Sequence, residues 1–155
     1  MGLVVDGKDL GRNVSLAAEP EVEKFKTEYP LFGHHAMASD KAVEAMLPLS
    51  ADGVRYGLVV RVYDDGVAVR YVLPENARRI ERELTAWNVP RSVKKVAWAG
   101  YDIGYEKEAY VTRMDEMPEN EYVCGPLTVE LPEGYMTFTE ADCEDFPDHG
   151  LFTFG

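Results

Sequence analysis

Histidine, cysteine and clustered carboxylates are the residues here whose chemistry reaches beyond packing. His34 and His35 are adjacent in Phe32-Gly33-His34-His35-Ala36. Imidazole titrates near neutrality and binds metals in its neutral form, so a pair on a loop could move protons or hold a cation. His149 follows Cys143 closely, and Cys124 is the second thiol. Cys143, His149 and one of the adjacent histidines, with Cys124 or a carboxylate as fourth ligand, would complete a tetrahedral zinc shell. No Cys-x-x-Cys or His-x-x-x-His spacing supports that shell, so no metal site is expected.

The remaining constellations are weaker. Asp142, Glu144, Asp145 and Asp148 have the acid density of a calcium loop, but Phe146-Pro147 falls where that loop needs a small residue. A solvated acidic loop is the default. Cys143 and His149 could act as nucleophile and base, yet Asp142 and Glu144 flank the thiol and disfavour its thiolate. No phosphate loop or serine elbow is present, and Gly100-Tyr101-Asp102-Ile103-Gly104 lacks the dinucleotide spacing. No catalytic residue and no cofactor are therefore assigned. Two thiols in 155 residues do not make a disulfide framework and read as small reduced hydrophobes.

The elements that would position these groups follow from periodicity. Leu3–Val5 reads as a short strand. Glu21–Tyr29 reads as a helix opened by Pro20, with Val22, Phe25 and Tyr29 as its apolar stripe. Ser39 caps a second helix that runs to about Leu47 and stops at Pro48. Ala77, Ile80, Leu84 and Trp87 recur at helical spacing in a third helix from Pro74 to Trp87. Between the second and third, Val54–Tyr63 and Val67–Leu73 alternate around Asp65-Gly66, a hairpin signal. A two-residue turn there pairs Val62 with Val69, Val60 with Tyr71 and Leu58 with Leu73. It also places Arg61 opposite Arg70, with Arg55 further along the same face. Like charges directly opposite destabilise a sheet, so Arg55, Arg61 and Arg70 read as an anion-binding group, with simple solvation the alternative.

Further on, Val93–Ala99 and Ala109–Arg113 read as a second hairpin. Leu127, Val129 and Leu131 alternate before a turn at Pro132-Glu133-Gly134 into Tyr135–Thr139, and Leu151–Phe154 reads as a closing edge strand. The expected fold is α+β: a mostly antiparallel sheet of about five to seven strands with about three helices on one face, in a single domain over residues 1–155.

Charge is sorted along the chain. Met114–Gly155 holds eleven Asp and Glu and no Lys or Arg, against a net charge of -12 for the whole. An acidic surface repels nucleic acid and anionic lipid and attracts basic protein surfaces. The basic group Arg78, Arg79, Arg82, Arg91, Lys94 and Lys95, flanked by Trp87 and Trp98, could hold an anion or an RNA strand, or form an ordinary charged face. No apolar run nears the ~18 residues that span a bilayer. The N-terminus has no basic lead-in to a long apolar stretch, and Asp6 breaks the myristoylation pattern, so a cytoplasmic location is expected.

These observations point to a non-enzymatic interaction protein that docks on a basic protein surface, as a nucleic-acid mimic or inhibitor. The comparison with antirestriction and anti-CRISPR proteins of mobile elements is an analogy of size and charge. The docking residues would be Glu116, Glu119, Glu121, Glu130, Glu133, Glu140, Asp142, Glu144, Asp145 and Asp148, projecting at a density comparable to duplex phosphate. The alternative is a ligand-binding or enzymatic domain whose pocket is lined by Tyr56, Tyr71, Tyr101, Tyr105, Tyr110 and His34 or His35. A homo-oligomer paired through Leu151–Phe154 is a third reading.

Overall fold

Backbone pairing runs almost wholly through antiparallel strands in the computed structural model, which describes residues 1–90, 92–101, 107–141 and 150–153. Among these the only helical turn is a short 3-10 segment at Met114–Glu116. The expected α+β architecture is thus replaced by an all-β one. The chain divides into two compact units, Met1–Trp87 and Asn88–Gly155.

The first unit contains β1 (Leu3–Val5), β2 (Lys8–Asp9), β3 (Ser15–Leu16), β4 (Glu21–Pro30), β5 (Met37–Ala51), β6 (Val54–Val62), β7 (Val67–Val72) and β8 (Ile80–Glu83). They form a small sheet of order β2-β1-β8 and a larger one of order β3-β5-β6-β7, with β4 also paired to β5. Leu3, Val5 and Leu10 from the small-sheet side meet Ala51 and Tyr56 of the large sheet in a shared core. The Tyr56 hydroxyl donates to the Leu10 carbonyl at 2.6 Å, so the one polar atom in this core is satisfied.

None of the three expected helices forms. Residues 21–29 form β4 and residues 39–47 lie inside β5, paired with each other over ten rungs from Glu21↔Met46 to Pro30↔Met37. Helical spacing of Val22, Phe25 and Tyr29 is outweighed because Val, Phe, Thr and Tyr all favour strands, while alternating charges suit an exposed edge. Pro48 does not stop β5. It sits where the neighbour of β5 changes from β4 to β3, and its carbonyl accepts the Ala17 amide at 2.8 Å. Its missing N–H faces that same side, so no bond to β6 is lost. Residues 80–83 pair with β1 as β8. Helix preference in Glu, Arg and Leu is worth only tenths of a kcal/mol per residue, less than completing the β1 edge.

Asp-Gly dipeptides shape the turns. Asp6-Gly7 and Asp52-Gly53 both have positive φ at both positions, as a type I′ hairpin loop requires, and join β1 to β2 and β5 to β6. The third, Asp65-Gly66, does not. Tyr63 donates to the Gly66 carbonyl at 2.9 Å, so Asp64-Asp65 makes the turn and Val62 faces Val67. This register differs by two residues from the expected one, which keeps the apolar face but changes every partner. Arg61 now faces Ala68, and Arg70 faces Val59. The opposed arginine pair does not exist.

The second unit contains β9 (Lys95–Gly100), β10 (Tyr110–Arg113), β11 (Tyr122–Leu131), β12 (Gly134–Phe138) and β13 (Gly150–Phe152), with order β10-β9-β11-β12 and β13 also on β11. Here alternation was a sound guide. The hairpin of β9 with β10, the turn into β12 and the closing edge strand are all found. Val93, Val96, Val123, Leu127 and Val129 form the core on one face of this sheet.

Candidate functional site

Two surfaces gather polar chemistry, one in each unit. In the first, Glu44 on β5 lies directly between Glu23 on β4 and Arg61 on β6. Arg61 donates from Nε to Glu44 at 2.8 Å, and its Nη2 lies 2.6 Å from the same carboxylate. Its Nη1 reaches Asp40 and the Tyr63 hydroxyl, each at 3.4 Å. The guanidinium also stacks over Phe25, 4.3 Å from the ring centroid. Hydrogen bonds to Tyr63 and to Glu44 raise its already high pKa, so it stays charged. Asp40 Oδ1 is enclosed and has no hydrogen-bond partner among the described residues. Beside this network, Glu21, Val22, Glu23, Glu44 and Met46 line an open groove of about 280 Å³.

In the second unit the outward sheet face presents two aligned rungs across four strands. One is Val111, Ala97, Thr128 and Thr137; the other is Arg113, Lys95, Glu130 and Tyr135. Small Ala97 sits among larger neighbours and leaves a depression. Lys95, Ala97, Val111, Thr128, Glu130 and Tyr135 line it, and it encloses about 260 Å³. Lys95 and Glu130 are 3.7 Å apart, and the Thr128 and Thr137 hydroxyls bond at 2.9 Å.

The residues singled out by sequence are dispersed. His34 and His35 are exposed in the loop joining β4 to β5. Tyr56 lies in the core near the opposite end of β5, roughly 45 Å of extended strand away. Tyr71 is half-buried and bonds Thr85 at 3.2 Å, while Tyr101 and Tyr110 are exposed in the second unit. Tyr56, Tyr71, His34 and His35 therefore do not come together within the first unit; Tyr105 lies outside the described residues. Cys143, His149, Asp142, Glu144, Asp145, Asp148 and Arg91 also lie outside them. No metal-holding group of three His, Cys, Asp or Glu is found among the described residues.

Arg61 of the anion-binding group is held by Glu44 and Asp40 of the adjacent strand, whereas Arg55 and Arg70 are exposed on the same sheet face. Of the acidic docking residues, Glu130 pairs with Lys95, Glu116 accepts the Arg113 amide at 3.1 Å, Glu133 lies in the β11–β12 turn, and Glu119, Glu121 and Glu140 belong to flanking loops. Sequence reasoning missed Asp40, Glu44, Phe25 and Tyr63 as one group, because it placed Asp40 and Glu44 on one helix and Phe25 on another. It also missed Ala97 and Tyr135, whose signal was a small residue and an aromatic on the polar side of otherwise well-read strands.

Comparison with known proteins explains the architecture. A protein of Streptomyces bingchenggensis (strain BCW-1) described as a probable retaining alpha-galactosidase is 33% identical over 104 residues, covering 64% of this chain and 16% of that protein. This chain thus spans a small part of the length of its curated relative. No solved structure is significantly similar to it. Residues 1–153 match the family described as glycosyl-hydrolase 97 N-terminal. The match overturns the reading as an acidic nucleic-acid mimic or mobile-element inhibitor, and identifies a glycoside-hydrolase-associated domain instead. Acidity is the strongest pattern in the composition, but net charge speaks to solubility and association and not to fold. With an all-β fold and a family match across nearly its whole length, the chain belongs to the glycosyl-hydrolase 97 N-terminal family.

Proposed function

We propose that this chain is the N-terminal β module of a larger retaining α-galactosidase, a supporting module and not the seat of bond cleavage. The observation that carries this reading is the family match over residues 1–153, together with a relative named as such an enzyme in which the matched segment is 16% of the length.

The surface of the large sheet in the first unit supports it. Val22, Ala45, Val60 and Val69 form one rung across β4, β5, β6 and β7, and Val43, Val62 and Val67 extend the next. Val22, Val62 and Val67 are 66%, 50% and 57% exposed. A contiguous patch of β-branched side chains on a sheet face is the kind of surface that another protein surface covers. In this reading it packs on further protein of the same enzyme.

The test is to recover the native polypeptide with antibodies raised against this chain, then measure its mass and its action on p-nitrophenyl α-D-galactopyranoside. A polypeptide several-fold longer that releases galactose with retained anomeric configuration is the expected result. A recovered polypeptide with no α-galactosidase activity overturns the reading.

A further inference from the structure

We propose that the depression on the outer face of the second unit's sheet is a binding subsite for a single pyranose ring. Only the choice of a galactosyl probe rests on the α-galactosidase reading. The argument begins with register. The core face of this sheet takes Val96, Val129 and Met136, so the alternate residues of the same strands point outward. Along one rung Ala97 is flanked by Val111 and Thr128, and a methyl group between longer side chains leaves the sheet locally hollow. The neighbouring rung places Lys95 beside Glu130 and Glu130 directly opposite Tyr135.

The walls match a sugar in chemistry. Tyr135 is 77% exposed, and its hydroxyl has no partner among the described residues. A phenol ring standing in water offers the electron-rich face on which the C–H face of a pyranose rests. Val111, 70% exposed, supplies a second apolar contact. Lys95 and Glu130 are separated by 3.7 Å, a loose pair, with their side chains 59% and 40% exposed. The ammonium donates to hydroxyl oxygens and the carboxylate accepts from hydroxyl groups, so adjacent hydroxyls on one ring can engage both. The Thr128 hydroxyl adds a donor or acceptor on the side facing Ala97. A volume of about 260 Å³ falls below the span usual for drug-sized ligands, which suits one ring and not a chain. Openness to solvent and the few contacts predict weak, millimolar-range affinity.

The experiment is a titration of the full 155-residue chain, isotope-labelled for NMR, with methyl α-D-galactopyranoside. Saturable shifts at Ala97, Thr128, Glu130 and Tyr135 are expected. Tyr135→Ala should weaken binding at least tenfold, Tyr135→Phe should retain it, and Ala97→Leu should abolish it by filling the hollow. Circular dichroism and the Trp98 signals, which report the opposite face, identify any variant that has lost its fold. Methyl α-D-glucopyranoside binding at the same residues would also support the subsite, while counting against galactosyl preference in the parent enzyme. No saturable shift, shifts centred elsewhere, or equal binding by folded Tyr135→Ala and Ala97→Leu variants would overturn the proposal. Each of these readouts is independent of whether the parent polypeptide cleaves a galactoside.

Discussion

Arg61 stands directly opposite Glu44 on the neighbouring strand, with Nη2 2.6 Å from its carboxylate, while Phe25 two strands away lies under the guanidinium plane. One side chain therefore ties β4, β5 and β6 together on the sheet face that also carries the buried Ala42 and Val59. Its partial burial places it between an exposed pair, worth a few tenths of a kcal/mol, and a buried one, which costs several kcal/mol to break by removing one partner.

Arg61→Ala should lower stability by about 1–2 kcal/mol, because it strands two half-buried carboxylates and removes the contact with Phe25. Arg61→Lys should recover only part, since an ammonium lacks the planar fork. Urea denaturation reads both. A double-mutant cycle with Glu44→Ala should give a coupling of about 1 kcal/mol. A coupling indistinguishable from zero would mean the pair is ornamental.

Alkaline stability should depend on Tyr56 and Tyr71. Burial raises the pKa of both; proximity to Tyr71 adds to the rise at Tyr56, and the Thr85 bond partly offsets it at Tyr71. The folded state thus keeps its protons at a pH where the unfolded chain loses them near the ordinary value of about 10. Their contribution is complete below that value and is lost as pH climbs through the raised folded pKa values. Tyr56→Phe should flatten this alkaline decline, while costing about 1 kcal/mol at neutral pH by leaving the Leu10 carbonyl unpaired. An unchanged alkaline limb in the variant would contradict the assignment.

Gly2 and Gly11 approach so closely that a Cβ on Gly2 would lie 2.7 Å from the Gly11 Cα, a backbone atom that cannot swing away. Gly2→Ala should cost about 2 kcal/mol by overpacking. Gly66→Ala should stay within about 0.5 kcal/mol, since nothing lies near the added methyl and its φ is not positive. Thermal melts of the two variants side by side make the comparison, and equal losses would refute it.

The valine rungs of the large sheet should bind a hydrophobic dye in the isolated chain. Replacing Val22, Val62 and Val67 with threonine keeps shape and strand preference. It should cut dye fluorescence several-fold while changing stability by no more than about 0.5 kcal/mol per site. If fluorescence is unaffected, those rungs are not the exposed apolar surface.

How much was legible differs sharply between the two units. In the second unit the alternation of Leu127, Val129 and Leu131 and the turn at Pro132-Glu133-Gly134 marked β11 and β12, and the hairpin of β9 with β10 was legible too, while the first half of β11 was not. Local sequence determined which side chains shared a face, because a strand's period of two is fixed by the backbone. In the first unit Val22, Phe25 and Tyr29 fitted a helix as well as a strand, and residues 39–47 did too. Only ten rungs of pairing between β4 and β5 decided the matter, and those bonds join residues that no local window contains. The same holds for the two-residue difference in the β6–β7 register, which separated Arg61 from Arg70, and for the β5–β6 register, which set Arg61 opposite Glu44. The sequence by itself determined the alternation within strands, the turns at Asp6-Gly7 and Asp52-Gly53 and the acidic composition. Tertiary structure alone decided which charges meet, because cross-strand partners are set by long-range register and not by spacing along the chain.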